Sequence, residues 1–169
     1  MDIKIGNIKY SSTLEAFIAY SPDATIEKTK GTYLGTMGPF GFKVSCIVKN
    51  SKEGITRLEK GYGKSLNAEN IHTVLETYLG AKNDQEIALA KYYVQKLMEI
   101  EAFFEKQTEF HFFGSSLLFI YDQESLDTSS AKVSVIDFEH TYPADGKIDK
   151  NFLFGLRNVR KLFEKFIEN

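Results

Sequence analysis

The chain has 169 residues, 43% hydrophobic and 14% aromatic, so it can bury a substantial core in one domain and is not a disordered polypeptide. Its net charge of −2 gives no overall attraction for nucleic acid, and no apolar run approaches the roughly 20 residues of a membrane span. Asp2 and Lys4 interrupt the first residues, so we expect no signal peptide, and the single cysteine, Cys46, cannot form an internal disulfide. We therefore expect one domain over residues 1–169, located in the cytoplasm, the nucleus or both.

The charge is unevenly distributed along the chain. Residues 1–64 contain ten Lys and Arg against six Asp and Glu, whereas residues 65–169 contain eleven against seventeen. The basic first part could face an anionic substrate, or it could be an ordinary solvated surface, and charge alone does not decide between the two.

In the first part of the chain, strand patterns surround an irregular segment. Alternating polar and apolar residues predict a strand over 2–5 that ends at Gly6, and residues 7–40 are irregular, with Ser21-Pro22-Asp23 as a turn or helix start. Strand composition resumes from Phe42 to Val48 and again over 55–61.

Two helices are predicted next. Asn67 is a suitable N-cap for a helix over 68–79, which Gly80 would end. A longer helix runs from Asp84 to about Lys106, and it carries an apolar stripe with one polar break: Ile87, Ala90, Val94, Leu97, Glu101 and Phe104.

The last part of the chain combines strands with a final helix. Strands are predicted near 109–113, 116–121 and 132–138, with a polar loop over 123–131. The helix over 150–167, capped by Asp149, has apolar residues at three- and four-residue intervals: Phe152, Leu156, Val159, Phe163 and Phe166. The layout predicts an α+β fold, a small and mainly antiparallel sheet packed with helices.

The segment from Val133 to His140 reads Val-Ser-Val-Ile-Asp-Phe-Glu-His, an apolar strand that stops at Asp137. Phosphotransferases use such an acid to hold a metal ion beside the phosphates of ATP, although an isolated strand-end Asp more often only caps a turn. His140 lies three residues further on, where an imidazole could donate to a substrate phosphate or simply pack against its neighbours.

Asp2 and Lys4 lie on the same face of the first predicted strand because side chains alternate with a period of two. An acid and an amine in this arrangement can orient a substrate hydroxyl and hold a phosphoryl group during transfer. An exposed ion pair is the simpler interpretation of the two residues alone.

Several segments, in this order, resemble the inositol polyphosphate kinase family: Asp2-x-Lys4-x-Gly6, Tyr20-Ser-Pro-Asp-Ala-Thr-Ile-Glu-Lys28, Gly41-Phe-Lys-Val44, Ser115-Ser-Leu-Leu118, Asp137-Phe-Glu-His-Thr141 and Asp149-Lys-Asn-Phe-Leu-Phe-Gly-Leu156. The first is similar to the end of the family signature P-x-x-x-D-x-K-x-G, and the fifth is similar to D-F-A-H-T. The correspondences cover nearly the whole chain, and His140 favours the multikinase and hexakisphosphate kinase branches.

The resemblance implies a kinase that uses ATP and Mg²⁺ to phosphorylate an inositol polyphosphate, with no nucleic acid partner. It implies catalytic roles for Asp2 and Lys4, metal and nucleotide binding by Asp137 and Ser116, and substrate binding within a segment over residues 20–40. The implied substrate-binding residues are Lys4, Lys28, Lys30 and His140.

In fold terms, the resemblance implies the C-terminal lobe of a two-lobed fold of the SAICAR-synthase-like and protein-kinase-like type, with the N-terminal lobe missing. We therefore expect little catalysis by the isolated chain and a possible need for an N-terminal lobe or a protein partner in trans. The alternatives are a non-catalytic module that binds inositol phosphates or proteins, and a scaffold protein that associates with itself.

Overall fold

The computed structural model describes residues 1–6, 35–52 and 54–168, so the predicted turn at Ser21-Pro22-Asp23 lies outside the described residues. Strands, helices and one 3-10 turn (Thr128–Ser130) make up this part of the chain. In chain order they are β1 (Asp2–Ile5), α1 (Met37–Phe40), β2 (Phe42–Ser51), β3 (Gly54–Leu58), α2 (Lys60–Ser65), α3 (Thr73–Leu79), α4 (Asp84–Phe104), β4 (Phe110–Phe112), β5 (Ser116–Ile120), β6 (Lys132–Ile136), β7 (Thr141–Pro143) and α5 (Lys150–Glu168).

The main sheet has five strands in the order β3-β2-β1-β5-β6, and every neighbouring pair is antiparallel. Strands β4 and β7 form a separate antiparallel pair. The α+β class and the antiparallel sheet are therefore confirmed. The short strand β1 occupies the centre of the sheet, where it pairs with β2 on one side and with β5 on the other.

Helices α4 and α5 pack on each other and cover one face of the sheet. Their contact with the sheet includes three buried rings, Tyr93 of α4, Phe119 of β5 and Phe163 of α5, whose centroids are 5.2 to 5.4 Å apart. The predicted stripe of α5 is buried throughout. None of the helices in the described part of the chain has the length and apolar character needed to cross a lipid bilayer.

In α4 the residues that face the core are not all those of the predicted stripe, because the helix is rotated about its axis relative to the prediction. Leu89 and Tyr93 are fully buried, whereas Ile87 and Val94 are only partly buried. The polar break in the stripe is a contact with α5: Glu101 accepts hydrogen bonds from Arg157 at 2.7 Å and from Arg160 at 2.9 Å. The helix therefore faces its neighbour through an ion pair as well as through apolar residues.

The helix predicted over 68–79 begins only at Thr73, although Gly80 ends it as expected. The Asn67 side chain does cap backbone groups, accepting from the N–H of Glu69 at 2.8 Å, but it closes a turn rather than starting the helix. The next helix, α4, is capped by Asn83, which accepts from the two N–H groups that follow Asp84.

The strand predicted over 55–61 ends at Leu58, and the unpredicted helix α2 follows it. A Cβ atom at Gly63 in α2 would overlap the carbonyl oxygen of Val44, so this helix lies directly against the backbone of β2. The two glycines of Lys60-Gly-Tyr-Gly-Lys64 lower helix propensity, which explains why the sequence pattern does not predict a helix there.

The segment from Asp149 to Leu156 joins α5 to the sheet. The predicted cap is confirmed: buried Asp149 accepts from the N–H of Phe152 at 2.9 Å and also from the N–H of Phe112 in β4 at 2.7 Å. At Gly155 the helix touches the sheet so closely that a Cβ would overlap the carbonyl oxygen of Gly41. This segment therefore fixes where α5 crosses the ends of β1 and β2.

Candidate functional site

The candidate site lies on the face of the main sheet opposite α4 and α5. In β1, Ile3 and Ile5 are 0% and 1% exposed and point into the core. Asp2 and Lys4 alternate with them and therefore point to the other face, as the sequence predicted.

Strand pairing brings the side chains of Ser116 and Asp137 next to each other. Ser116 lies opposite Lys4 in the β1–β5 pair and opposite Ile136 in the β5–β6 pair, so Asp137 follows directly after its partner. The hydroxyl of Ser116 donates to Asp137 Oδ2 at 3.4 Å. The two side chains thus meet although they lie on separate strands.

Asp137 adopts a left-handed backbone conformation, with φ of 65°. This conformation ends β6 at Ile136, two residues earlier than the predicted end at 138. The carbonyl oxygen of Asp137 accepts a hydrogen bond from the Ser115 hydroxyl at 3.0 Å. Two adjacent serines therefore hold the residue, one through its backbone and one through its carboxylate.

Burial raises the pKa of Asp2 above its ordinary value of 3.8, and a hydrogen bond with Ser116 opposes this shift. The negative charge of Asp137 raises the pKa further, and the Lys4 ammonium lowers it. The Oδ1 atom of Asp2 is buried and has no hydrogen-bond partner among the described residues. Asp2 is thus an acid with an increased proton affinity, and one of its carboxylate oxygens is buried without a hydrogen-bond partner.

The Lys4 side chain extends toward the residues that precede β5. Its Nζ lies beside the backbone of Gly114, 3.7 Å from the position where a Cβ would be. On the other side, Lys4 lies opposite Lys43 of β2. The structure therefore brings Asp2, Lys4, Ser116 and Asp137 together on one surface.

Three other predicted substrate residues have different outcomes. Lys28 and Lys30 lie outside the described residues. His140 lies in the turn that leads into β7, where its side chain is half-buried and its carbonyl oxygen accepts from the N–H of Phe113 at 3.0 Å.

Three further cations lie beside the site, Lys43, Lys60 and Lys64, and the sequence patterns did not assign them to it. Positive charges of Lys4, Lys60 and Lys64 all lower the pKa of Lys43, in addition to the larger effect of burial. The excess of Lys and Arg in residues 1–64 was the signal that pointed to them.

A cleft of about 590 Å³ begins at Asp2 and extends along the same face. Apolar and aromatic side chains line much of it, including Val48, Leu118, Ile120 and Tyr121. Val48 and Ile120 are 43% and 48% exposed, so the cleft presents apolar side chains to solvent. The charged site thus continues into an apolar groove.

This fold is shared with a known class of proteins. The family model described as inositol polyphosphate kinase matches residues 1–164, so the chain belongs to the inositol polyphosphate kinase family. The chain is 30% identical over 179 residues to an inositol polyphosphate multikinase of Oryza sativa subsp. indica, a match covering 95% of this chain and 58% of that protein. It is 27% identical over 190 residues to inositol polyphosphate multikinase alpha of Arabidopsis thaliana, a match covering 100% of this chain and 64% of that protein.

Solved structures show the same fold. One inositol phosphate multikinase superimposes with a TM-score of 0.74 at 25% identity, covering 98% of this chain and 78% of the other. An inositol phosphate multikinase of S. cerevisiae in complex with ADP and Mn²⁺ superimposes with a TM-score of 0.75 at 23% identity, covering 98% of this chain and 77% of the other. The chain thus spans most of these structures but less than two thirds of the plant multikinases.

Proposed function

We propose that the chain carries the phosphoryl-transfer site of an inositol polyphosphate kinase, which moves the γ-phosphoryl group of ATP to an inositol polyphosphate. The convergence of Asp2, Ser116 and Asp137 beside Lys4 carries this proposal. Family membership and the multikinase relatives support the same reaction class.

Asp2 and Lys4 act on the transferred group and its acceptor. The Asp2 carboxylate accepts the hydrogen bond of the attacking hydroxyl, and its raised pKa suits a carboxylate that takes up the proton. The Lys4 ammonium neutralises charge on the phosphoryl oxygens during transfer. Asp2 and Lys4 are two residues apart on the same strand and lie on the same face, so both side chains reach the same reacting centre.

A divalent cation fits the residues present. No cluster of three or more His, Cys, Asp or Glu side chains suited to a metal is found in the described part of the chain. Mg²⁺, however, typically binds through one or two carboxylates together with substrate phosphates and water. Asp137 would hold the ion, with Ser116 beside it. When bound, the ion neutralises charge on the ATP phosphates.

The apolar groove next to Asp2 suits the base and ribose of the nucleotide. Leu118 and Ile120 would form its floor, and Val48 would form one side. Because the groove is open on the side away from the helices, a second lobe, in cis or in trans, would close it and exclude water. This extension supports a two-lobed enzyme in which residues 1–169 form one domain, and weak turnover without such a cover stays a prediction.

A lysine variant tests this assignment. The full chain is assayed for ATP- and Mg²⁺-dependent phosphorylation of inositol 1,4,5-trisphosphate, as wild type, Lys4→Met and Lys91→Met. Lys91 is exposed on α4, which covers the opposite face of the sheet, so it is the matched control. We expect Lys4→Met to lower turnover by about 100-fold or more, with ATP binding retained.

Two outcomes would contradict the proposal. Measurable ATP- and Mg²⁺-dependent turnover that is equal in wild type and Lys4→Met would remove Lys4 from the reaction. The trisphosphate could bind equally well with and without ATP and Mg²⁺, with no phosphate transfer even when a second lobe covers the groove. That result would identify the non-catalytic binding module instead.

A further inference from the structure

The segment Phe112–Ser116, called here the connecting segment, leads from the end of β4 to the start of β5 and touches several parts of the candidate site. Its two serine hydroxyls donate to the backbone and to the carboxylate of Asp137 at 3.0 and 3.4 Å. A backbone N–H of the segment donates to the carbonyl oxygen of His140 at 3.0 Å, and the Lys4 ammonium lies beside Gly114. The position of this segment therefore determines how these groups lie relative to one another.

Asp149 holds the beginning of the connecting segment. Its Oδ2 accepts from the N–H of Phe112 at 2.7 Å, and its Oδ1 accepts from the N–H of Phe152 in the first turn of α5 at 2.9 Å. One carboxylate thus joins β4 to the helix. In the same turn Asn151 lies against Gly6, where a Cβ on the glycine would overlap the asparagine side chain. The start of α5 therefore contacts both β4 and the end of the strand that carries the candidate acid and lysine.

A helix cap alone does not require a buried carboxylate. Asp149 is 1% exposed, and burial raises its pKa above 3.8, although backbone N–H groups and the charge of His111 oppose this shift. Serine and asparagine cap helices about as well as aspartate does, and neither would bury a charge. The second carboxylate oxygen serves the hydrogen bond to β4, which a cap does not need.

We infer that Asp149 is a positioning residue for the phosphoryl-transfer site, because through Phe112 it holds the connecting segment and both of its serines against Asp137. This inference rests on the proposed function, in which Asp137 holds the metal ion. Asp149 acts on the metal ion only through the connecting segment. Loss of this hold should therefore weaken Mg²⁺-dependent ATP binding without removing a ligand.

Calorimetric titrations of the full chain with ATP, in Mg²⁺ and in EDTA, test the inference. The variants are Asp149→Asn, Ser115→Ala, the two combined, and Asp137→Asn as the reference for loss of the proposed ligand. Asparagine keeps one carbonyl oxygen, but its amide nitrogen cannot accept from the second N–H. Asn83→Ala is the matched control, because Asn83 caps α4, the helix that lies on the opposite face of the sheet. Thermal melts of every variant measure folding.

We expect Asp149→Asn and Ser115→Ala each to weaken Mg²⁺-dependent ATP binding about 5- to 10-fold, whereas ATP binding in EDTA should change less than about twofold. The combined variant should lose little more affinity than Asp149→Asn alone, because both changes break the same link. Asn83→Ala should lower the melting temperature and keep wild-type affinity. A merely structural role of Asp149 predicts additive losses and no difference between the two cap variants.

Wild-type affinity for ATP with Mg²⁺ in Asp149→Asn, with loss of affinity in Asp137→Asn, would overturn the positioning role and leave the proposed function intact. Equal losses in Asp149→Asn and Asn83→Ala would also overturn it, because affinity would then follow stability. If Asp149→Asn does not fold, Ser115→Ala decides, and wild-type affinity in that variant would overturn the role. Absence of Mg²⁺-dependent ATP binding by wild type would overturn both the role and the proposed function.

Discussion

Ser116 and Asp137 meet at the ends of two neighbouring strands, with the serine hydroxyl donating to the aspartate Oδ2 at 3.4 Å. The contact depends on the left-handed backbone of Asp137, since a strand that continued past this residue would carry the carboxylate away from the serine. Asp and Asn tolerate this conformation better than most residues. The geometry therefore allows a substitution that removes the charge and keeps the backbone.

Asp137→Asn is that substitution. We expect Mg²⁺-dependent ATP binding to weaken at least tenfold and turnover to fall about 100-fold or more, because the proposed carboxylate ligand of the metal would be lost. The melting temperature should stay within about 2 °C of wild type, since a change away from core packing is small. Titration of ATP with Mg²⁺ and with EDTA measures the effect.

Asp127→Asn is the control for that change. Asp127 is an exposed residue that caps the 3-10 turn, and Asn can cap equally well. If both variants lose the same amount of ATP affinity, the effect is not due to the proposed metal ligand.

Asp2→Asn should have opposite effects on activity and on stability. The pKa of Asp2 is raised in the folded chain, so the folded state binds a proton more tightly than the unfolded state does. Ionisation of Asp2 therefore lowers stability as the pH rises from its ordinary pKa of 3.8 through the raised value, and the cost is fully present above that value. Asn removes the cost, so we expect the variant to be more stable than wild type at pH 8, by a small amount because solvent screens a half-buried carboxylate, with loss of turnover.

Melts of wild type and Asp2→Asn at several pH values between 4 and 8 check the sign. The two curves should converge as the pH falls toward 4, because a growing fraction of the wild-type carboxyl is then protonated. In turnover assays the wild-type rate should rise as the pH passes the raised pKa. A variant less stable than wild type at pH 8 would contradict the assignment of Asp2 as a destabilised acid.

Two glycines allow a matched comparison of packing. Gly155→Ala places a methyl group against the carbonyl oxygen of Gly41, whereas a Cβ at Gly61 meets nothing within 4 Å. We expect Gly155→Ala to destabilise the chain by about 1–3 kcal/mol through overpacking. Gly61→Ala should be neutral or stabilise by up to about 1 kcal/mol, because Ala favours the helix. Urea unfolding measures both, and equal midpoints would show that α5 can shift away from the sheet.

Glu101 links α4 to two arginines of α5, and it is largely buried, with 13% of its side chain exposed. Burial alone would raise its pKa, but the hydrogen bonds from Arg157 and Arg160 lower it overall from 4.5. This contribution to stability is present above pH 4.5 and is lost as the pH falls through the lowered pKa. Glu101→Gln should therefore cost about 1 kcal/mol at pH 7 and progressively less below pH 4.5.

Glu99→Gln is the comparison for Glu101, because Glu99 pairs with Lys96 in an exposed position on the same helix. Exposed pairs contribute little, so we expect no measurable change in the unfolding midpoint. If the two glutamine variants behave alike at pH 7, the contact between α4 and α5 does not depend on the ion pair.

Local patterns in the sequence predict the elements whose apolar residues recur at regular intervals. The strand at residues 2–5 and the helices α4 and α5 agree with expectation, as does the Asp149 cap. Helix α2 was missed because its two glycines hide its helical character. The early end of β6 was missed because a periodic pattern carries no information about a reversed backbone dihedral at Asp137.

For the candidate site, the sequence motifs pointed to Asp2, Lys4, Ser116 and Asp137. The order of the strands in the sheet determines that these residues lie close together. Alternation along one strand places Asp2 beside Lys4, but only the β1–β5–β6 pairing brings Ser116 and Asp137 to them. The lysines Lys43 and Lys60 required the β1–β2 register and the packing of α2, which are long-range contacts. No local pattern in the sequence contains that information.

The central position of β1 has a consequence for folding. Its partners are β2 and β5, and β5 begins only at Ser116, so one edge of β1 is paired by a strand that lies far along the chain. Long-range pairing of this kind slows folding. Because Asp2 and Lys4 lie on β1 and Ser116 on β5, no short segment of the chain can assemble the candidate site by itself.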